Sequence, residues 1–206
     1  VNVIEAGFPV SSRGDFEAVR MIAGEGLEAS VCGLSRIIRK DIDASLDAGV
    51  DMVHVFVSTS DIQIQHTIKK SRQEIVEQSV GAVEYVKEHG RVCLFSAMDA
   101  TRTPLPFLKE IFGAVEGAGC DIINVPDTVG VAIPTTFYTL VKEICESTKK
   151  MVVDVHCHND FGLAVANSLA AFEAGAREVQ VAANGLGERA GNANLAETVM
   201  CLHSMY

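Results

Sequence analysis

The sequence predicts an α/β fold of the TIM (β/α)8 barrel type, with about seven of the eight βα units present in residues 1–206. Short apolar runs rich in β-branched residues recur along the chain, and stretches with helical spacing of apolar residues separate them. The runs are continuous and do not alternate with polar residues, which is typical of parallel strands covered on both faces. This regular alternation predicts a single barrel domain.

Seven apolar runs predict the strands. They are Val1–Ala6, Ala29–Cys32, Met52–Val57, Val92–Phe95, Ile122–Val125, Met151–Val155 and Val179–Ala183. At about 29 residues per unit, eight units need about 235 residues, near the ~250 of a closed barrel. We therefore expect the chain to lack about one unit and to be truncated at both ends. A doubly wound sheet is the alternative, but Ala6-Gly7-Phe8-Pro9 is not the Gly-rich turn expected after its first strand.

Apolar residues at helical spacing predict helices between the strands. They recur at Phe16, Val19, Ile22 and Ala23, at Ile38, Ile42 and Leu46, and at Ile75, Val76, Val80, Val83 and Val86. Three helices are expected to end before a glycine at the C′ position, where a left-handed backbone favours that residue. These glycines are Gly49, Gly119 and Gly175.

Composition excludes two classes of partner. The formal net charge is −10, whereas nucleic-acid binding needs clustered Lys and Arg. No apolar run reaches the roughly 18–20 residues that span a bilayer, so no membrane association is expected. The six cysteines form no CxxC pair and lie mostly in apolar runs, as reduced buried thiols do. A reducing, cytoplasmic location is the expectation.

Polar residues gather just after the predicted strands, at the end of the barrel where active sites lie. The sharpest pattern is His156-Cys157-His158, because alternate strand residues share a face and both imidazoles can bind one ion. Two His with oxygen ligands suit Zn, Mn or a related divalent cation. The alternative is that one His caps a loop and the other packs. Cys157 is expected to point the other way, which argues against a thiolate nucleophile.

Other polar segments allow two interpretations each. The Gly-rich stretch Asn184–Asn192 either presents backbone amides to a phosphate or is a loop shaped by glycines in which Glu188 and Arg189 pair. The glycine spacing matches no known phosphate-binding fingerprint, so it favours the loop. Asp127 either contributes to the site with Thr128 or caps the next helix. A lone His such as His54 is more often a hydrogen-bonded core residue. Three histidines are predicted to be on the surface: His66, His89 and His203.

Four segments together resemble the family of 2-isopropylmalate synthase, citramalate synthase and homocitrate synthase. They are Ile4–Pro9, Asp127–Gly130, His156–Asp160 and Asn184–Asn192. The likeness extends along nearly the whole chain and places it in the metal-dependent TIM-barrel superfamily named for an Asp-Arg-Glu motif. It implies a Claisen-type condensation of acetyl-CoA with a small 2-oxo acid, most simply 2-oxoisovalerate, followed by thioester hydrolysis to a 2-alkylmalate, as in leucine biosynthesis.

The resemblance also implies roles for individual residues. His156 and His158 match the two His ligands of a divalent metal, Mg, Mn or Zn, and Asn192 matches a further ligand. Thr128 matches the residue that holds the carboxylate of the 2-oxo acid, and His54 matches a His that lines the substrate pocket. A cation chelated by the keto acid polarises its carbonyl and stabilises the developing alkoxide.

The sequence departs from the family at several positions. The Asp-Arg-Glu strand, which supplies another metal ligand and an Arg, is not found, and it corresponds to the strand missing from the count. Met98 stands where the family usually has Glu, and a thioether is neither a base nor a charge partner, so no catalytic base is assigned. Gln63 replaces a common His and Ala182 a common Thr.

Several functions stay open at this point. The first is a synthase acting on 2-oxoisovalerate, with pyruvate and 2-oxoglutarate not excluded, since a methylene or two changes binding by only about 1–3 kcal/mol. The second is a lyase or carboxyltransferase of the same superfamily. The third, of another class, is a catalytically silent barrel. A homodimer is expected, because open edge strands expose unpaired backbone groups.

Overall fold

Seven parallel strands frame the computed structural model, which describes residues 1–206. They are β1 (Val3–Gly7), β2 (Ser30–Arg36), β3 (Met52–Ser58), β4 (Val92–Met98), β5 (Ile122–Asp127), β6 (Val152–Cys157) and β7 (Glu178–Gln180). All seven predicted strands are present. The first six extend past the predicted ends, because the residues that follow each apolar run still have an extended backbone. The last is shorter than predicted and ends at Gln180.

The strands form one sheet in the order β1-β2-β3-β4-β5-β6-β7, and every neighbouring pair is parallel. Strand β1 does not pair with β7, so the sheet curls into an incomplete barrel. This sequential order confirms the TIM-barrel type with about seven units. It excludes the doubly wound alternative, in which the strand order reverses at a switch point.

Eight α-helices follow the strands along the chain, and the last one comes after β7. They are α1 (Arg13–Ala23), α2 (Arg39–Asp47), α3 (Asp61–Gln63), α4 (Arg72–Glu88), α5 (Leu105–Gly117), α6 (Pro134–Ser147), α7 (Ala164–Ala174) and α8 (Leu195–Met205). A π-helical turn, Ile64–Ile68, continues α3, and short 3₁₀ turns lie at Ala100–Arg102 and Ala183–Gly185. None of these helices combines the length and apolar character needed to cross a membrane.

Two of the three glycines predicted at the C′ position of a helix lie there in the structure. Gly49 (φ 82°) and Gly119 (φ 90°) each follow the last capping residue with a left-handed backbone. The third prediction is wrong by one position: α7 ends at Ala174, so Gly175 (φ 118°) is itself the C-cap. Ile38 also lies outside its predicted helix, since its extended backbone makes it the N-cap of α2.

The two faces of the sheet differ in chemistry. A cluster of 37 buried apolar residues, including Val53, Val55 and Ile123, lies between the strands and the helices. On the opposite, inner face lies a second apolar cluster formed by Cys32, Met52, Leu94 and Ile122. Because strand side chains alternate, the residues two positions further along these strands also face inward. On β3, β4 and β5 those residues are His54, Ser96 and Asn124, which are polar and begin the candidate site, whereas on β2 the residue is Leu34.

Candidate functional site

A layer of polar side chains crosses the inner face of the sheet, one step above the inner apolar cluster. We call it the polar layer, and it consists of Glu5, His54, Ser96, Asn124, Asp154 and Gln180. The members come from β1, β3, β4, β5, β6 and β7, and consecutive members are hydrogen-bonded. His156 adds to the layer at one end, where its Nδ1 lies 2.9 Å from Oε1 of Gln180.

His156 and His158 lie side by side at the C-terminal end of β6. Their Nε2 atoms are 3.2 Å apart, which confirms that the two imidazoles share one side of the strand. Asn192, in the loop after β7, is paired with His158 in an isolated antiparallel bridge. The structure therefore brings together all three residues that the sequence suggested as metal ligands.

The chemistry of these three residues fits a divalent cation. Burial, and next the neighbouring His158, lowers the pKa of His156 to about 4; burial, and next Arg189, lowers the pKa of His158. Both imidazoles are thus neutral near pH 7 and offer lone pairs. Oδ1 of Asn192, whose backbone pairs with that of His158, is buried and has no hydrogen-bond partner, so this segment offers a free acceptor oxygen. No group of three or more His, Cys, Asp or Glu forms a cluster with metal-binding geometry, so the amide oxygen is needed to complete the set.

His54 is buried and held from both sides. Its Nδ1 lies 2.5 Å from Oε2 of Glu5, and its Nε2 lies 2.7 Å from Oγ of Ser96. Burial alone would raise the pKa of Glu5, but the charge and hydrogen bond of His54 outweigh it, and the pKa is lowered. His54 is therefore a hydrogen-bonded core residue, as a lone His often is, and it also belongs to the polar layer of the site.

Thr128 lies in the loop after β5, and its hydroxyl hydrogen is not used in any hydrogen bond of the structure. Its Oγ1 accepts a hydrogen bond of 2.8 Å from the backbone N–H of Asp99. A hydroxyl that accepts in this way keeps its own hydrogen for another acceptor. Asp99 is buried and has a left-handed backbone (φ 69°), and Arg102 and Ser60 bind its carboxylate. The donor to Thr128 is consequently fixed in place.

The Gly-rich loop after β7 folds onto itself and onto its neighbours. Its Gly191 has φ 96°, and a Cβ atom there would lie 2.1 Å from the carbonyl oxygen of Gly185. This close approach supports the interpretation of a loop shaped by glycines. The expected pairing of Arg189 with Glu188 is only a 3.6 Å contact. The main partner of Arg189 is instead Asp160, in the loop after β6.

Asp127 has a structural role that differs from the predicted helix cap. Its carboxylate accepts hydrogen bonds from the N–H groups of Val131 and Ala132 and from the Thr101 hydroxyl. The N-cap of α6 is Ile133, without a side-chain cap, because the carboxylate reaches only the loop that precedes the helix. Burial raises the pKa of Asp127.

The positions that depart from the family also have definite surroundings. Met98 ends β4 on the inner face, two residues beyond Ser96, and its carbonyl accepts from the N–H of Thr59. Gln63 accepts a hydrogen bond of 2.8 Å from Ser58. Ala182 pairs with Asn194 in an isolated parallel bridge, opposite the loop that holds Asn192.

Cys157 and the remaining histidines agree with the predictions. Cys157 is fully buried among apolar residues, and this burial raises the pKa of its thiol to about 12. The other histidines, His66, His89 and His203, are exposed. None of these four residues contributes to the site.

The match to a family model decides the relationship of the chain to known proteins. The model described as HMGL-like matches residues 1–205. The chain belongs to the HMGL-like family. This assignment covers the whole described barrel, including His156, His158 and Asn192, and it agrees with the superfamily inferred from the sequence motifs. Divalent-metal dependence is general in this family.

Close relatives of this HMGL-like chain are named as synthases. It is 62% identical over 205 residues to a probable 2-isopropylmalate synthase of Archaeoglobus fulgidus. It is 55% identical over 206 residues to the 2-isopropylmalate synthase of Methanocaldococcus jannaschii, and 48% identical over 206 residues to the 2-isopropylmalate synthase of Sulfolobus acidocaldarius. Each match covers 100% of this chain but only 41%, 40% and 53% of the relative. The chain thus spans about two fifths to one half of these proteins.

Solved structures support the HMGL-like fold. The HMG-CoA lyase of Bacillus subtilis superposes with a TM-score of 0.88 at 20% identity, covering 100% of this chain and 74% of the lyase. A carboxyl transferase domain of the Rhizobium etli pyruvate carboxylase gives a TM-score of 0.76, covering 98% of this chain and 37% of that one. At such identities the likeness shows a shared fold and nothing about the reaction.

Sequence reasoning missed four members of the polar layer. Ser96 stands in the polar segment just after the predicted strand Val92–Phe95 but received no role. Asn124 and Asp154 lie within predicted strands, and Gln180 lies in the last apolar run. A signal was present: each of the first three stands two positions after an apolar residue of the same strand, as His54 follows Met52. Comparing the strands with one another would have revealed a polar position shared by β3, β4, β5 and β6.

Proposed function

We propose that residues 1–206 form the catalytic barrel of a 2-isopropylmalate synthase. The observation that carries the proposal is the meeting of His156, His158 and Asn192 beside the polar layer, at the end of the strands where such barrels bind substrate. The names of the close relatives support the reaction. The proposed reaction joins the methyl carbon of acetyl-CoA to the keto carbon of 2-oxoisovalerate; water then cleaves the thioester, which gives 2-isopropylmalate and CoA.

Each site residue has a distinct task in this proposal. His156, His158 and Asn192 hold a divalent ion, Mg, Mn or Zn, which when bound draws electron density from the keto group of the substrate. Thr128 donates its free hydroxyl hydrogen to the carboxylate of the 2-oxo acid. His54 lines the substrate pocket, and its hydrogen bonds to Glu5 and Ser96 hold the ring in one orientation. The residue that removes a proton from acetyl-CoA stays unassigned, since Met98 is not a base.

The proposal includes a cellular location and an assembly. All six cysteines are free, which supports a reducing compartment such as the cytoplasm. A homodimer is the proposed assembly. Citramalate and homocitrate stay alternative products. A lyase-type cleavage, the reverse of the condensation, stays an alternative reaction.

A product assay with matched variants tests the proposal. The native-length protein is given acetyl-CoA, Mg or Mn, and 2-oxoisovalerate, pyruvate or 2-oxoglutarate, and products are identified by mass spectrometry while free CoA is measured. We expect 2-isopropylmalate as the main product, at least a 100-fold loss for His156→Ala with His158→Ala, and no loss for the exposed pair His89→Ala with His203→Ala.

Other outcomes contradict specific parts of the proposal. A preference for pyruvate or 2-oxoglutarate would change the assigned substrate. No product from any acid, together with gain of activity in Met98→Glu, would show a barrel silenced at that position. No product in either form would overturn the proposed synthase.

A further inference from the structure

The hydrogen bonds of the polar layer converge on one atom, Oδ2 of Asp154. The amide nitrogens of Asn124 and Gln180 both lie 2.6 Å from it. Two N–H donors thus meet one acceptor from opposite sides, and Asp154 is completely buried. Because Oδ2 of Asp154 accepts a hydrogen bond from each amide nitrogen, Asp154 holds the orientation of both amides.

On one side this orientation determines which nitrogen of His156 carries hydrogen. With Nε2 of Gln180 directed at Asp154, Oε1 faces Nδ1 of His156 at 2.9 Å. An amide oxygen only accepts, so Nδ1 carries the hydrogen and Nε2 keeps its lone pair. That lone pair lies on the side facing His158.

On the other side, Oδ2 of Asp154 acts on His54 through the side chains of Asn124 and Ser96. With Nδ2 of Asn124 directed at Asp154, Oδ1 accepts the only hydrogen of the Ser96 hydroxyl, at 3.0 Å. The Ser96 oxygen is then left as an acceptor for the N–H at Nε2 of His54, 2.7 Å away. Nδ1 of His54 faces the Glu5 carboxylate, so both ring nitrogens act as donors.

We propose that Asp154 is a positioning residue that sets the hydrogen placement of two histidines at once, and that Gln180 is its link to the metal ligand His156. Loss of the link lets the His156 ring place hydrogen on Nε2, where it blocks a cation. The part that concerns metal binding rests on the proposed function, whereas the placement of the hydrogens does not.

The test reads the histidine tautomers directly in the metal-free, native-length protein. ¹⁵N NMR of the imidazoles distinguishes hydrogen on Nδ1 from hydrogen on Nε2, and calorimetry gives the affinity for Mn. Gln180→Met removes only the link to His156, so we expect a mixed tautomer at His156, an unchanged signal from His54 and a 10–100-fold weaker Kd for Mn. Asp154→Leu removes the acceptor and should change both histidines.

Two further variants separate positioning from general loss of structure. Asp154→Asn keeps an acceptor oxygen for both amides and should retain the hydrogen placement of both histidines and most of the Mn affinity. Asn167→Leu removes a buried amide outside the polar layer, whose Nδ2 bonds to the carbonyl of Ala132, and should change neither readout. Gln180→Met carries the test even if Asp154→Leu does not fold.

The outcomes divide cleanly between the two proposals. Unchanged His156 signals and an unchanged Kd in folded Gln180→Met would overturn the role of Asp154 and Gln180. Shifted tautomers with no Mn binding in the parent protein would support the hydrogen placement and contradict the metal site. Shifted tautomers in a protein that makes no 2-isopropylmalate would contradict only the proposed reaction.

Discussion

Arg189 holds Asp160 through two nitrogens, each 2.8 Å from a carboxylate oxygen, and donates a third hydrogen bond of 2.8 Å to the carbonyl of Thr128. One guanidinium therefore ties together the loops after β5, β6 and β7. The planar, forked shape of Arg makes this arrangement possible, and a Lys ammonium cannot reproduce it.

We expect Arg189→Lys to weaken binding of the 2-oxo acid while leaving kcat nearly unchanged. The loosened Thr128 loop should raise KM for 2-oxoisovalerate about fivefold, because a half-exposed ion pair contributes about 1 kcal/mol or less. Arg20→Lys, in an exposed pair with Glu17 on α1, is the matched control. Steady-state kinetics of the native-length protein measures both, and an unchanged KM in Arg189→Lys would refute a role for this contact.

We expect Gly130→Ala to destabilise the fold far more than Gly26→Ala. Both glycines have a left-handed backbone, φ 63° and φ 68°, so each substitution costs about 1–2 kcal/mol in strain. A Cβ atom at Gly130 would also lie 2.3 Å from Oδ2 of Asp160, whereas at Gly26 it meets open space. Displacing Asp160 adds about 1–3 kcal/mol. Urea unfolding measures the difference, and equal losses would contradict the close contact.

Metal-free protein should lose stability as the pH falls from 7 to 5. The pKa of His156 is about 4 in the folded chain, against about 6.5 for an exposed imidazole, so the unfolded chain binds more protons between these two values. Stability therefore rises with pH across this window, and His156 accounts for about 2 kcal/mol between pH 5 and pH 7.

Urea unfolding at both pH values, with a chelator present, measures this dependence. The comparison is with His156→Gln, which cannot titrate and should have a smaller difference between pH 5 and pH 7. If parent and variant share the same difference, His156 is not the neutral, buried group described above.

Cys157 should resist alkylation in the folded protein. With a pKa of about 12, roughly one thiol in ten thousand is ionised at pH 8, and the side chain is fully buried. We expect iodoacetamide to label the half-exposed Cys201 first and Cys157 only after unfolding in urea. Mass spectrometry of peptides measures the labelling of both cysteines. Rapid labelling of Cys157 in the native protein would support a thiolate nucleophile at Cys157, against which the strand alternation argues.

The seven strands and the pairing of His156 with His158 could be predicted because both depend on local rules. Continuous apolar runs mark strands covered on both faces, and residues two apart in a strand share a side. The Asp127 contacts and the partner of Arg189 could not be predicted in the same way. Asp127 reaches into its own loop and Arg189 reaches a loop 29 residues away, and sequence spacing does not encode either direction.

The sequence by itself determined the βα repeat, the parallel strands and the two histidines at the end of β6, since these follow from the side-chain period along single elements. Only the tertiary structure decided that Asn192 lies beside His158 and that Asp154 joins His54 to His156. Those contacts depend on the curl of the sheet, which brings residues from five strands and a distant loop within hydrogen-bond reach. Their directions follow from which atoms can donate and which can only accept.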